Sequence, residues 1–218
     1  MHKPIPMKIE VNPKDTSRAE AFELWMSSPM PMVTLTRTFN VTNIRRVAKR
    51  KKYKFNALLC WCIAKAASQV KEFYLLPENV KLFHFDHLAI NVIVNNSKGG
   101  ISSCDIPCVD DFFAFIEKYD ELTHQVATTS QSSFLDNYMV VGTSAMIQTE
   151  LDTIVNQYTE KFSNPMVMWG KYRQGWWKTT LPISFQFHHS QMDGGHAAQF
   201  LELLQQEILN LKWIPLPP

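Results

Sequence analysis

The chain has 218 residues, of which 45% are hydrophobic and 19% charged, with a formal net charge of +2. That composition supports a sizeable core and excludes a disordered chain, and so small a charge carries no nucleic-acid footprint. One domain over 1–218 is the expectation for this length. The opening Met1-His2-Lys3-Pro4-Ile5-Pro6 has no apolar run behind a basic cluster, and no stretch reaches about 18 uninterrupted apolar residues. No signal peptide, no membrane contact and a cytoplasmic location are therefore expected. Cys60, Cys62, Cys104 and Cys108 then read as reduced thiols, and their spacings are poor for zinc.

In chain order, 16–27 reads as a short helix carrying Phe22, Leu24 and Trp25, ended by Pro29 and Pro31. Val33 to Phe39 alternates and is rich in β-branched residues, which predicts a strand. Thr42 is a candidate cap for the next helix. Phe55, Leu58, Leu59, Cys62, Ile63, Ala66 and Val70 form a helical stripe over 55–72. Strands are expected at 80–84 and 88–95, with a hairpin-like break at Asp86-His87. Phe112, Phe113, Ile116 and Tyr119 mark an amphipathic helix over 109–125. Two more strands follow, Tyr138 to Ser144 and Leu181 to His189. In the second, Ile183, Phe185, Phe187 and His189 share one face, and Ser184, Gln186 and His188 the other. Phe200, Leu201, Leu204 and Ile208 mark a last helix. The fold class is α/β (α+β), a two-layer arrangement of mixed sheet covered by helices.

The chemistry concentrates in His188-His189-Ser190-Gln191-Met192-Asp193-Gly194-Gly195-His196. A histidine at a strand end is stiffly held, and its environment can tune it near neutral pH, which suits a general base. A purely structural histidine fits the same position. Asp193 can bind the base, cap the helix that follows or pair with a distant arginine. A zinc site from His188, His189, Asp193 and His196 is disfavoured, because alternation puts the two adjacent histidines on opposite faces. No Gly-x-Ser-x-Gly elbow or phosphate-binding P-loop occurs, so acyl-serine hydrolysis and nucleotide hydrolysis lack their signals.

His-His-x-x-x-Asp-Gly resembles the signature of the chloramphenicol acetyltransferase family, relatives of the acyltransferase cores of 2-oxo-acid dehydrogenase complexes. Arg18-Ala-Glu20-Ala-Phe22, Tyr53-Lys54-Phe55 and the run from Pro165 through Lys171-Tyr172 to His189 are similar to family segments in order and spacing. The resemblance implies an acetyl-CoA-dependent O-acetyltransferase of a small hydroxylated acceptor, chloramphenicol or similar. It implies no metal, a homotrimer with sites between subunits, and a part in antibiotic resistance. His189 is then the base, with its tautomer held by its own carbonyl, and Ser144 the oxyanion donor, Thr143 being next if the register shifts. Asp193 and Arg18 form a structural pair. Lys54 and Lys171 take CoA phosphates and Tyr172 lines the pantetheine path, while the basic run from Arg45 to Lys54 otherwise reads as a solvated helix face. Leu24, Trp25, Pro31, Ile101, Ser103 and Met168 surround the acceptor. Two departures stand out. Met146-Ile147-Gln148 replaces the family's x-Pro-Trp after Ser-Ala, and Met168 stands where the family carries threonine. A different acceptor, or a non-catalytic relative, are the alternatives these leave open.

Overall fold

The computed structural model describes residues 5–159 and 161–211. The first half of the chain forms β1 (Lys8–Val11), a 3-10 turn (Pro13–Asp15), α1 (Ala19–Trp25), β2 (Met32–Asn40), α2 (Thr42–Lys51), α3 (Phe55–Ala67), a second 3-10 turn (Lys71–Tyr74), β3 (Leu75–Glu78), β4 (Lys81–Phe85) and β5 (Leu88–Asn95). The second half forms β6 (Ile101–Pro107), α4 (Phe112–Thr129), β7 (Met139–Met146), β8 (Met166–Gly170), β9 (Arg173–Gln174), β10 (Thr179–His188) and α5 (Gly194–Asn210).

The main sheet runs β2-β10-β8-β7-β5-β6, with β9 on β10; β7 is parallel to β5 and β8, and the other pairings are antiparallel. This is the mixed sheet expected from the sequence. Helices α2 to α5 pack as one layer. Ile183, Phe185 and Phe187 are fully buried against it, with the Phe185 ring 4.6 Å from Phe200 and 5.7 Å from Phe73. Each such ring contributes roughly 1.5–3 kcal/mol of transfer free energy. The other face of β10 is buried too. An irregular segment crosses it, where the Ile154 amide donates to Ser184 Oγ and Gln186 Nε2 donates to the Asn156 carbonyl. A small antiparallel sheet, β1-β4-β3, packs with α1 through Phe22, Leu75 and Leu82.

Several local expectations change. Strands β4 and β5 are not a hairpin: β4 pairs with β1 and β3, whereas β5 belongs to the main sheet. Thr42 is the first residue of α2, not its cap. Asn40 Oδ1 accepts both the Thr42 amide and the Thr42 hydroxyl. Helix α3 stops at Ala67, because Ser68 Oγ and Gln69 Nε2 both donate to the Lys65 carbonyl and satisfy the chain end. The stripe continued to Val70 because Val70 and Phe73 remain core residues after the helix has ended.

Candidate functional site

Strand β10 delivers His188 and His189 into a tight turn. The His189 amide donates to the Pro31 carbonyl at 2.8 Å, and His188 Nδ1 accepts the Ser190 amide at 3.1 Å. His188 is buried, and burial, helped by nearby His189, pushes its pKa down to about 4. It is therefore a neutral, structural imidazole at neutral pH. His189 is half-buried. Trp25 lies flat on its ring, centroids 4.6 Å apart and planes within 8°. His189 Nδ1 is buried without a hydrogen-bond partner. The expected bond from that nitrogen to the residue's own carbonyl is not made; Arg18 Nη2 donates to that carbonyl at 2.8 Å. Nε2 is the nitrogen left accessible.

Arg18 reaches this turn from the start of α1. Its Nη1 meets Asp193 Oδ2 at 3.1 Å and its Nε donates to the Ser190 carbonyl. The guanidinium is buried while the carboxylate is half-exposed. Asp193 also caps α5, accepting the Gly195 and His196 amides, and His196 Nδ1 accepts the Asp193 amide in return. Burial alone would raise the Asp193 carboxyl, but the His196 amide and ring, Arg18 and the Gly195 amide hold it below the ordinary value. Behind it, His196 Nε2 sits 3.2 Å from Glu72 Oε1, which also accepts the Ser17 hydroxyl. Of the roles open to Asp193, the structure selects two: the cap and the arginine partner. Asp193→Ala is expected to cost about 3 kcal/mol in urea unfolding. It removes a cap and strands a buried guanidinium, and the half-exposed carboxylate keeps the loss at the lower end of the usual range.

A second group lies on the outer face of the sheet. Cross-strand neighbours Asp105, Asn91, Gly142, Met166 and Gln186 form one continuous row across β6, β5, β7, β8 and β10. They floor a cavity of about 520 Å³, walled by Phe134, Tyr138 and Phe162 among others. A Cβ at Gly142 would lie 2.0 Å from Met166 Sδ, so any larger residue there would have to displace the flexible end of that side chain. Two residues further along, Ser144 pairs with Met168 and Met168 with Ser184, while Ser103 pairs with Ile93. Ser144 is half-buried, and its hydroxyl has no hydrogen-bond partner among the described residues. Thr143 points to the helix side, is buried and donates to the Asn91 carbonyl at 2.7 Å, so it is not free to serve in its place.

A third group forms a groove of about 500 Å³ at the start of α3, lined by Lys54, Phe55, Tyr119, Trp169, Lys171 and Tyr172, with other residues. Lys54 pairs with Asp120 at 2.8 Å at the surface. Helix α3 has no side-chain cap, so its first-turn amides face the groove end unanswered by side chains. Trp169 Nε1 is buried and unpartnered.

A family model described as chloramphenicol acetyltransferase matches residues 7–205. The chain belongs to the chloramphenicol acetyltransferase family. It is 23% identical over 194 residues to a chloramphenicol acetyltransferase of Escherichia coli, covering 87% of this chain and 91% of that one. It is 25% identical over 196 residues to one from Bacillus pumilus, covering 86% and 88%. Among solved structures, a chloramphenicol acetyltransferase superposes with a TM-score of 0.80 at 18% identity, covering 93% of this chain and all of that one. A probable dihydrolipoamide acetyltransferase from Listeria monocytogenes gives 0.69 at 11%, covering 96% and 97%.

Against this family fold, the residues singled out from sequence fall into three separate places. His189, Arg18, Asp193, Trp25 and Pro31 meet at the β10 turn. Ser144, Met168 and Ser103 share the outer sheet face. Lys54, Lys171 and Tyr172 share the groove. Leu24 and Ile101 are exposed, at 66% and 68%. Met168 is buried under Ser144's row rather than open to a ligand. Sequence reasoning missed Glu72 and the floor residues Asn91, Asp105 and Gln186. The available signal was Gln186 alternating with Ser184 and His188 on a face that turns out to be buried. Metal-ligand groupings are absent among the described residues.

His188 also sets a pH dependence. Folded, it titrates near 4; unfolded, near 6.5. Between those values the unfolded chain binds the proton and the native chain does not, so stability falls as pH drops through that window and levels off below it. The loss is on the order of 3 kcal/mol. Urea midpoints measured from pH 7 to 4 check it, and His188→Asn should remove the pH-linked part.

Proposed function

We propose that the protein transfers acetyl from acetyl-CoA to a hydroxyl of a small-molecule acceptor, with His189 as general base. The observation that carries this is the anchoring of His189. Its amide, its carbonyl, one ring face and Nδ1 are all tied up or buried, which leaves Nε2 as the one accessible proton acceptor on the ring. In the reaction, Nε2 removes the acceptor's hydroxyl proton as the oxygen attacks the thioester carbonyl. The oxyanion forms against the uncommitted Ser144 hydroxyl. Its collapse breaks the carbon–sulfur bond, and the departing thiolate takes the proton back from the imidazolium. No acyl-enzyme is formed, and holding both substrates together supplies the proximity term.

The groove at α3 suits CoA. A helix N-terminus without a side-chain cap, beside Lys54 and Lys171, is anion-binding chemistry for its phosphates. Tyr172 and Phe55 offer apolar surface to the pantetheine arm, and the orphaned Trp169 Nε1–H offers a donor to its carbonyls. The outer-face cavity, two residues from Ser144 along β7, is the acceptor site.

The strand register supports a site built from more than one copy. Ser144 is level with Ser184 on β10, two strands away, and His189 lies five residues beyond Ser184. At about 3.3 Å per residue and 4.8 Å per strand, the two are about 19 Å apart. They can face one carbonyl only when they come from different copies, which supports a homotrimer with its sites between subunits. The departures at Met168 and Met146-Ile147-Gln148 favour an acceptor other than chloramphenicol. Release of CoA thiol from acetyl-CoA, measured with a panel of alcohols that includes chloramphenicol, tests the reading. Release with any alcohol supports transfer, and none with every alcohol, on protein that binds acetyl-CoA, overturns it.

A further inference from the structure

We propose that the acceptor alcohol also carries a protonated amine, seated against Asp105 on the floor of the outer-face cavity. The inference rests on assigning that cavity to the acceptor. Among the described residues its lining includes two carboxylates, Glu78 and Asp105, and no lysine, arginine or histidine. Glu78 is answered by Lys8 at the rim. Asp105 is different: it is 3% exposed, and no cation pairs with it among the described residues.

Its two oxygens accept one bond each, Oδ1 from Asn91 Nδ2 at 2.7 Å and Oδ2 from the Leu135 amide at 3.0 Å. An ionised carboxylate has about four acceptor sites, so half remain unused. Burying such a group is costly unless a cation answers it. An ammonium has three donors and the required charge. A second acceptor lies on the same floor. Gln186 is 2% exposed and spends Nε2 on Thr34 Oγ1 and the Asn156 carbonyl, while its Oε1 accepts nothing. The cavity thus presents spare acceptors and net negative charge to its ligand, with Phe134 and Tyr138 as aromatic residues in its wall.

The sheet register also sets the spacing. Asp105 is two strands from Gly142, and Ser144 is two residues past Gly142. At the usual strand spacings, Asp105 and Ser144 are about 12 Å apart along the sheet. The ammonium and the reacting hydroxyl are therefore separated by several bonds and are not on adjacent carbons. An anionic acceptor is disfavoured at this site.

The test uses the native protein and matched pairs of alcohols, a dimethylamino alcohol and its isopropyl isostere, with chains of several methylenes. Initial rates of CoA-thiol release are measured with each, and binding of each is followed by calorimetry. The cationic member is expected to show kcat/KM higher by roughly tenfold or more, the effect of one charge-assisted contact. Equal kcat/KM for the pair overturns the assignment. If neither alcohol accepts acetyl, binding decides: tenfold tighter binding of the cationic alcohol keeps the cavity assignment and leaves the transfer reading to the wider panel of alcohols, and equal binding defeats the cavity assignment. In Asp105→Asn the preference should collapse to near unity, and a preference that survives there also overturns the proposal. Should that variant not fold, because Asp105 clamps Leu135, the matched pair on the native chain still decides.

Discussion

Replacing His189 by alanine is expected to lower the rate of acetyl transfer by about 10²–10⁴-fold, the usual contribution of a positioned general base. KM for acetyl-CoA should barely move, because a general base acts on a proton in transit and His189 does not line the groove at α3. The fold should survive. The contacts that hold the turn are the His189 amide to Pro31, the His189 carbonyl to Arg18 and the Asp193 cap, and alanine keeps all of them. What is lost is the ring, its stack on Trp25 and Nε2. The comparison with His188 sharpens the reading. That neighbour is buried, neutral near pH 7 and bonded to the Ser190 amide. His188→Ala should therefore appear first as lost stability in a urea titration. A His189→Ala chain that retains native kcat would remove the base from the mechanism.

The division between what was legible in the sequence and what was not follows a physical line. Local periodicity exposed β2, β5, β10 and α5, because each carries a regular apolar stripe that packs into the main core. Strands β1, β3, β6, β8 and β9 escaped. In β6, Ser102, Ser103 and Asp105 are buried or half-buried polar residues, so hydrophobic alternation fails there. The polar residues of that face line a cavity, which no single-strand pattern can announce. His189 stands out in the sequence because its type, its strand-end position and the Asp-Gly that follows coincide in seven residues. Arg18 was readable only through resemblance, since 175 residues separate it from Asp193. Glu72 was invisible for the same reason: its role is set by where a 3-10 turn brings it against His196, not by its neighbours in sequence.

A mixing experiment carries the larger consequence of the sheet register. Ser144→Ala alone should lower kcat by about 10²–10³-fold, as expected for loss of one oxyanion donor. His189→Ala alone is expected to be at least as impaired. When the two inactive chains are unfolded and refolded together, transfer should return. The pairing of β7 to β8 and β8 to β10 places Ser144 and His189 of one chain five residues and two strands apart, too far to serve one thioester. In a closed ring whose neighbours meet head to tail, each site takes its base from one copy and its serine from the next. With equal amounts of the two variants, random assembly gives both intact groups at roughly a quarter of the sites, so roughly a quarter of native activity is the expected yield. If both groups acted within one chain, every copy in the mixture would lack one of them, and activity would not exceed the average of the two variants measured apart. Size exclusion with light scattering on the same mixture supplies the second arm: the recovered activity should elute with the oligomer, and a monomer that retains full activity would contradict the shared site. Because each variant keeps the contacts that fold its own chain, the recovery reports on which copy supplies which group.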